Sequence, residues 1–191
     1  MAGITISEFK GAVSDLARPN RFLASIDGAA VSDLGFEDNM QYLVISTSLP
    51  GREIGDIDVN WQGMKIKLAG DPTFSDITLK FHNDYGFKVR NVFETWVEKI
   101  ATMSTNIRTA HAGSTGGLES ADGYKAKLVL SQLGRSGEQI AQYVLDGAYP
   151  KSITPISLDM TAENGIEEFE VTFRYDYFFR NDDSGIEPAT A

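Results

Sequence analysis

The chain has 191 residues, a formal charge of −10, a pI near 4.6 and no cysteine. That length suits one domain able to bury about 70% of its unfolded surface, with no disulfide or thiolate-bound metal to staple it. The acidic balance argues against binding nucleic acid by neutralising phosphates, since duplex DNA carries a negative charge about every 1.7 Å.

The start, Met1-Ala2-Gly3-Ile4-Thr5-Ile6-Ser7-Glu8, has neither the basic residues nor the apolar run of a signal peptide. No apolar stretch approaches the roughly 18 residues of a membrane span, so the sequence reads as soluble and not secreted by the general route. Ser7 can cap a short helix running to about Leu16, with Phe9, Ala12, Val13 and Leu16 on one side, and Pro19 stops it near Arg18. Residues 1–19 therefore read as an amino-terminal arm. Residues 21–27 alternate through Phe22, Ala24 and Ile26 and predict the first strand. Residues 28–39 read as a turn or weak hairpin, and residues 40–49 as a second strand ended by Pro50-Gly51.

Strand propensity then recurs on both sides of Trp61-Gln62-Gly63, through Ile54, Ile57 and Val59 before it and Met64, Ile66 and Leu68 after it. Gly51, Gly55 and Gly63, with Glu53, Asp56 and Asp58, make this a poor core segment. The prediction is a long, partly exposed hairpin over about 51–68, an edge that invites pairing with another chain. Residues 69–76 read as a turn, and Ile77, Leu79 and Phe81 mark the next strand.

After His82-Asn83-Asp84-Tyr85-Gly86, a helix is predicted over about 87–103. Val89, Phe93, Trp96, Val97 and Ile100 form one apolar stripe, with Lys88, Arg90, Glu94, Glu98 and Lys99 outside it. Residues 102–123 are rich in Ser, Thr, Gly and Asn and read as a flexible loop. Residues 124–130 and 139–145 predict two strands joined by Gly134-Arg135-Ser136-Gly137. Ile156, Leu158 and Met160 alternate before Asn164-Gly165, and residues 169–177 alternate Phe, Val, Phe, Tyr, Tyr against Glu170, Thr172, Arg174 and Asp176. These two runs predict an antiparallel hairpin whose aromatic strand lies in the middle of the core. Residues 181–191 read as a polar tail. Together the elements predict a single domain over 1–191, mainly β, an antiparallel β-barrel or rolled β-sandwich with one flanking α-helix.

No catalytic constellation emerges. His82 beside Asn83 and Asp84 lacks a nucleophile at motif spacing and reads as a strand-end residue. His111 lies in the Ser/Gly/Thr stretch, and two histidines without cysteine make a weak zinc site. Glu168 and Glu170 share a strand face, as glycosidase acids sometimes do, but on a wet face such pairs are usually solvation. Gly113-Ser114-Thr115-Gly116-Gly117 lacks the Gly-Lys-Ser/Thr end that grips phosphate. The expectation is a protein that is not an enzyme, with no cofactor and no metal. From Ser157 to the end there are nine Asp/Glu against two Arg and no Lys. This excess is either a solvated surface that keeps the protein soluble or a surface that repels DNA.

Blocks spread through the chain carry a resemblance. They are Ala17-Arg18-Pro19-Asn20-Arg21-Phe22; Leu49-Pro50-Gly51; Ile66-Lys67-Leu68-Ala69-Gly70-Asp71-Pro72-Thr73-Phe74-Ser75-Asp76-Ile77-Thr78 with Asn83-Asp84; the helix with Phe93 and Trp96; and a closing block from Tyr149-Pro150 through Ile153, Leu158 and Asp159 to Glu168-Phe169-Glu170-Val171-Thr172 and Tyr175-Asp176-Tyr177. In order and coverage the sequence resembles the T4-type tail tube protein family of contractile-tailed bacteriophages; residues 102–123 and the tail match least.

The resemblance implies homo-hexameric rings stacked into an inner tube that delivers DNA to the host. The partners it implies are the sheath protein, the baseplate and tail terminator proteins, and tape-measure protein and DNA passing through the lumen without specific binding. The implied location is the virion tail, assembled in host cytoplasm. Arg52, Glu53, Ile54, Asp56, Ile57, Asp58 and Trp61 become candidates for contact between rings, and Glu168, Glu170 and Asp176 candidates for the lumen face. Three alternatives stay open. They are the inner tube of a non-phage contractile injection particle, a tube-fold baseplate or tail-end protein, and a barrel holding one small ligand with Phe173 and Tyr175 in its cavity.

Overall fold

The computed structural model describes residues 6, 10, 16–28, 34, 38–101, 123–161, 163 and 165–181. The expected amino-terminal helix, the loop over 102–122, Asn164 and the tail beyond residue 181 lie wholly or mostly outside them. The strands are β1 (Phe22–Asp27), β2 (Val44–Ser46), β3 (Arg52–Trp61), β4 (Met64–Phe74), β5 (Ile77–His82), β6 (Ala126–Leu133), β7 (Gln139–Ile153), β8 (Glu168–Arg174) and β9 (Tyr177–Arg180). The helix α1 spans Lys88–Ile100.

One curled antiparallel sheet runs in the order β1-β6-β7-β8-β5-β2 with β9 also on β7, while β3 and β4 form a separate two-stranded ribbon. The expectation of a mainly β, rolled antiparallel fold with one flanking helix holds in the form of a half-barrel. The aromatic strand β8 sits between β7 and β5, in the middle of the core as the alternation implies. Its Phe169, Val171 and Phe173 join Ile77, Leu79 and Phe81 of β5 on the buried face. Against them α1 presses Val89, Val92, Phe93 and Trp96. The ring of Phe93 lies 5.0 Å from Phe81 and 5.9 Å from Phe173, and the indole N–H of Trp96 donates to the Tyr124 carbonyl at 2.8 Å. Each such side chain contributes roughly 1.5–3 kcal/mol by leaving water.

The helix starts where Asp84 accepts backbone N–H bonds from Val89 at 3.1 Å and Gly86 at 3.2 Å. The Val89 bond satisfies a donor that the first helical turn leaves without an intrahelical partner, and the Gly86 bond holds the turn just before the helix. Burial pushes the Asp84 carboxyl up, but the bonds from Val89, Lys88, its own N–H and Gly86 outweigh this and hold it below the ordinary value.

The 15-residue β7 serves two neighbours in turn. Its first part pairs with β6 on one edge and with β9 on the other, and from Tyr149 onward β8 takes over. At the handover the Asp176 N–H donates to the Asp146 carbonyl at 3.0 Å, and Gly147 opposite has φ of 68°. A Cβ at Gly147 would run into the Asp176 carboxylate, so the corner takes glycine for both its backbone and its space.

Four expectations are corrected. Residues 40–49 are not one strand. A 3-10 turn over Asp38–Leu43 precedes the short β2, because Met40 and Leu43, three residues apart, both turn inward as that helix allows. Residues 69–74 are strand, not turn, and Pro72 pairs with Ile54 next to a register shift, where a missing N–H is tolerated. The hairpin therefore extends to Phe74. Ile156, Leu158 and Met160 form no strand. Thr154 N–H makes its bond to the Glu170 carbonyl at 2.9 Å, and beyond it the chain leaves the sheet, with Leu158 80% exposed. The strand expected over 169–177 breaks after Arg174, so Tyr175 is buried while Tyr177 starts β9 on the surface.

The corner gives a stability prediction. Gly147→Ala forces a positive φ and displaces Asp176, and should cost about 1–3 kcal/mol in urea unfolding. A loss below about 0.5 kcal/mol, the size of an ordinary surface substitution, would show that the corner does not need glycine.

Candidate functional site

The β3–β4 ribbon turns through Gln62 at φ 45° and Gly63 at φ 87°, a two-residue connection with positive φ at both positions that suits strand twist. All ten residues of β3 are exposed. The register sets Trp61 opposite Met64, Val59 opposite Ile66 and Ile57 opposite Leu68, and between these pairs Asn60 opposite Lys65 and Asp58 opposite Lys67. Successive pairs point to opposite faces, so one face of the ribbon is aliphatic and aromatic and the other is charged.

The charged face carries ion pairs from Lys67 to Asp56 at 2.6 Å and from Lys65 to Asp58 at 3.6 Å. Such exposed pairs contribute at most about 1 kcal/mol each. The apolar face has no such cover: Trp61 is 64% and Met64 71% exposed. A lone two-stranded ribbon is marginal in water, and among the described residues this one is anchored at its base. There the Arg52 guanidinium lies over the Phe178 ring at 5.2 Å and the Phe74 ring at 5.9 Å. Phe74 meets Phe178 edge-on at 5.7 Å and Tyr175 at 6.0 Å.

The seven residues singled out for contact between rings thus divide by position. Arg52 is part of the anchor, and Glu53 and Ile54 stand between it and the register shift. Asp56 and Asp58 lie on the charged face, Ile57 and Trp61 on the apolar one.

The outward face of β8 is interleaved with cations. Glu168 receives Lys80 at 2.6 Å, while His82 Nδ1 stands 3.7 Å away. Asp76 receives Lys151 at 2.6 Å and Arg174 at 2.9 Å. The hydrogen bond from Lys80 holds the Glu168 carboxyl below its ordinary value, and that from Lys151, then Arg174, does the same for Asp76 against an upward push from burial. Glu170 stays exposed on this face. Asp176 is not on it, because β8 ends at Arg174; it sits at the corner, paired with Lys125 at 2.6 Å. Glu168 and Glu170 are therefore together, and Asp176 apart from them.

A groove that sequence reasoning missed opens at the far end of the β6–β7 turn. It is lined by Leu16, Ala17, Arg18 and Arg21 on one side and Leu133, Gly134, Arg135, Glu138 and Ile140 on the other, and holds about 230 Å³. The Arg21 guanidinium ties the two walls by donating to the Gly134 carbonyl at 2.9 Å and the Arg135 carbonyl at 2.5 Å. Ile140, 49% exposed at the start of a strand, was the one local signal.

His82 ends β5 as expected of a strand-end residue, and among the described residues no nucleophile is shown bonded to it. His111 and residues 113–117 lie outside the described residues. Among the described residues no group of three His, Asp or Glu is placed to hold a metal ion.

A family model described as phage tail tube protein matches residues 14–181. The tail tube protein gp19 of Enterobacteria phage T4 is 31% identical over 165 residues, 86% of this chain and 91% of that protein. The tail tube protein of Serratia phage KSP90 is 25% identical over 175 residues, 90% of this chain and 94% of that protein. Among solved structures, the PVC sheath/tube terminator of an extracellular contractile injection system is similar at a TM-score of 0.64, with 19% identity, over 89% of this chain and 99% of its own. The tube terminating cap of the anti-feeding prophage is similar at a TM-score of 0.62, with 21% identity, over 88% and 93%. These two likenesses bear on the fold alone.

The ion pairs set a pH dependence. Asp76 and Glu168 have ordinary values of 3.8 and 4.5, both lowered in the folded chain. The unfolded chain therefore binds more protons in that range, and the stabilisation is complete above about pH 5 and is lost as pH falls through the lowered values. Urea midpoints should drop between pH 5 and pH 3, and less steeply for Asp76→Asn. An identical slope in that variant would remove Asp76 from the account.

Proposed function

This chain belongs to the phage tail tube protein family, and on that premise we propose that six copies close into a ring and that rings stack into a hollow tube through which DNA passes to the host. The observation that carries this reading is the ribbon of β3 and β4, a two-faced element whose apolar face is left to solvent in the single chain. Burying that face on another copy supplies what the chain lacks, and head-to-tail contacts of this kind close into rings or continue as helical stacks. The curled sheet adds a second kind of joint, since its path ends in the strands β1 and β2, and open edges serve pairing between chains.

In this reading Ile57 and Trp61 make the contact between rings, while Arg52, Glu53, Ile54, Asp56 and Asp58 hold and orient the ribbon. The face of β8 opposite the helix lines the lumen. Glu170 is its exposed anion and Glu168 a neutralised one, so phosphates slide past without adhering. Asp176, apart at the corner and paired with Lys125, is left out of that wall. Sheath, baseplate, terminator and tape-measure proteins are the partners, the virion tail is the location and host cytoplasm the place of assembly, and no reaction is catalysed. The whole of residues 1–191 acts as one tube domain. The two fold neighbours are a cap and a terminator of non-phage contractile particles, and a shared fold does not choose between a phage tube and the inner tube of a non-phage particle that passes protein. The phage relatives, nearer in sequence, favour DNA.

Two experiments test it. Deletion of residues 55–63 should leave a folded subunit that no longer forms tubes in electron micrographs, and normal tubes from it would end the role of the ribbon. Glu170→Lys should spare assembly and slow DNA ejection from reconstituted particles several-fold, whereas unchanged ejection would take Glu170 off the lumen wall.

A further inference from the structure

We propose that the tip of the ribbon, with Trp61 foremost, docks in the groove between residues 16–21 and the β6–β7 turn of a second copy of this chain. The inference rests on the stacking role of the ribbon and supplies its receiving surface. Of the two tryptophans, Trp96 is 1% exposed and Trp61 64%. The groove has the complementary chemistry. Leu16, Leu133 and Ile140 give it aliphatic walls, and Arg18, Arg21 and Arg135 bring three cations to its lining against one anion, Glu138, which accepts from the Ser136 N–H at 2.9 Å.

An indole entering there buries its edges against the aliphatic walls and offers its electron-rich face to a guanidinium, an attraction that strengthens as water leaves. Tryptophan and arginine are the residues that most often dominate interfaces when both become fully buried. The geometry of the chain supports an occupant from outside. The ribbon is anchored at the β8–β9 corner through Arg52, Phe74 and Phe178, and the groove lies at the other end of the β6–β7 pair. A ten-residue strand reaches about 33 Å from its base, enough to project beyond its own subunit. The cations of the groove also meet the acids of the ribbon, since Asp58 is held only loosely by Lys65 at 3.6 Å.

The chain has no cysteine, so disulfide trapping reads this contact without background. Asn60→Cys with Ile140→Cys, and Met64→Cys with Arg18→Cys, are each assembled and oxidised, and the products separated under denaturing conditions. The docking predicts a ladder of covalently linked chains from at least one pair and none from any single variant. Tubes that assemble normally but yield no linked chains from either pair would overturn it, as would a link confined within one chain. If both paired variants fail to assemble, the unmodified protein decides: Trp61 emission should move to shorter wavelength on tube formation, and Trp61→Phe should lose that change. An unshifted spectrum would overturn the docking. Trp61→Ala should also raise the concentration needed for tubes at least about tenfold. Should tubes depend on residues 55–63 while neither pair links, the groove alone fails; should they form without residues 55–63, the stacking role fails first.

Discussion

The wedge of Phe93 and Trp96 between the sheet aromatics Phe81, Phe169 and Phe173 is the interaction on which the rest of the fold depends. A sheet with one apolar face must either meet a second sheet or curl around something, and here it curls around one helix face. The curl needs a strand that changes partners midway, which is why β7 is long and why Gly147 and Asp176 meet at its bend. The corner in turn places Tyr175 and Phe178 where Phe74 and Arg52 pack on them. The base of the ribbon is thereby fixed to the core, and its direction follows from the same packing that stabilises the subunit.

The chain buries a core that is apolar but for Trp96 and Tyr175 among the described residues, yet leaves a row of aliphatic residues in water along β3 and β4. The two facts belong together. The core closes on sheet and helix residues without the ribbon, whose apolar face gains from another surface. The charged face keeps the ribbon's other side hydrated through the opposed Asp56, Asp58, Lys65 and Lys67. The net acidity of the chain is spread unevenly, and the face of β8 is closer to balanced than its sequence implies, because Lys80, Lys151 and Arg174 come from neighbouring strands or from its end.

What the sequence shows and what it hides divide by the range of the forces involved. The alternation in β1, β5 and β8, the stripe of α1 and the ribbon with its turn at Gln62-Gly63 are local patterns and read from neighbouring residues, although the stripe omits the buried Val92 and the ribbon runs on to Phe74. The 3-10 turn at Met40–Leu43 mimics alternation over so few residues that period two and period three cannot be separated. Pro72 looks like a turn residue because local chemistry does not reveal that its strand lies on an open ribbon. The break after Arg174 depends on Gly147, and the partners of Glu168 and Asp76 depend on strand order. The groove joins Arg21 to Gly134 across a separation of 113 residues, which no local pattern marks. For the candidate site, the ribbon was legible as a long, partly exposed hairpin, whereas its division into an apolar and a charged face and its anchor through Phe178 and Tyr175 were not.

The measurement that tests the central claim most directly is electron microscopy of the purified full chain, concentrated at near-neutral pH, with light scattering on the same sample. If the apolar face of the ribbon exists to be covered by another copy, scattering rises with concentration and the images show hollow filaments of uniform width. A monomer that stays monomeric at every concentration, with no rings and no filaments, would contradict the account.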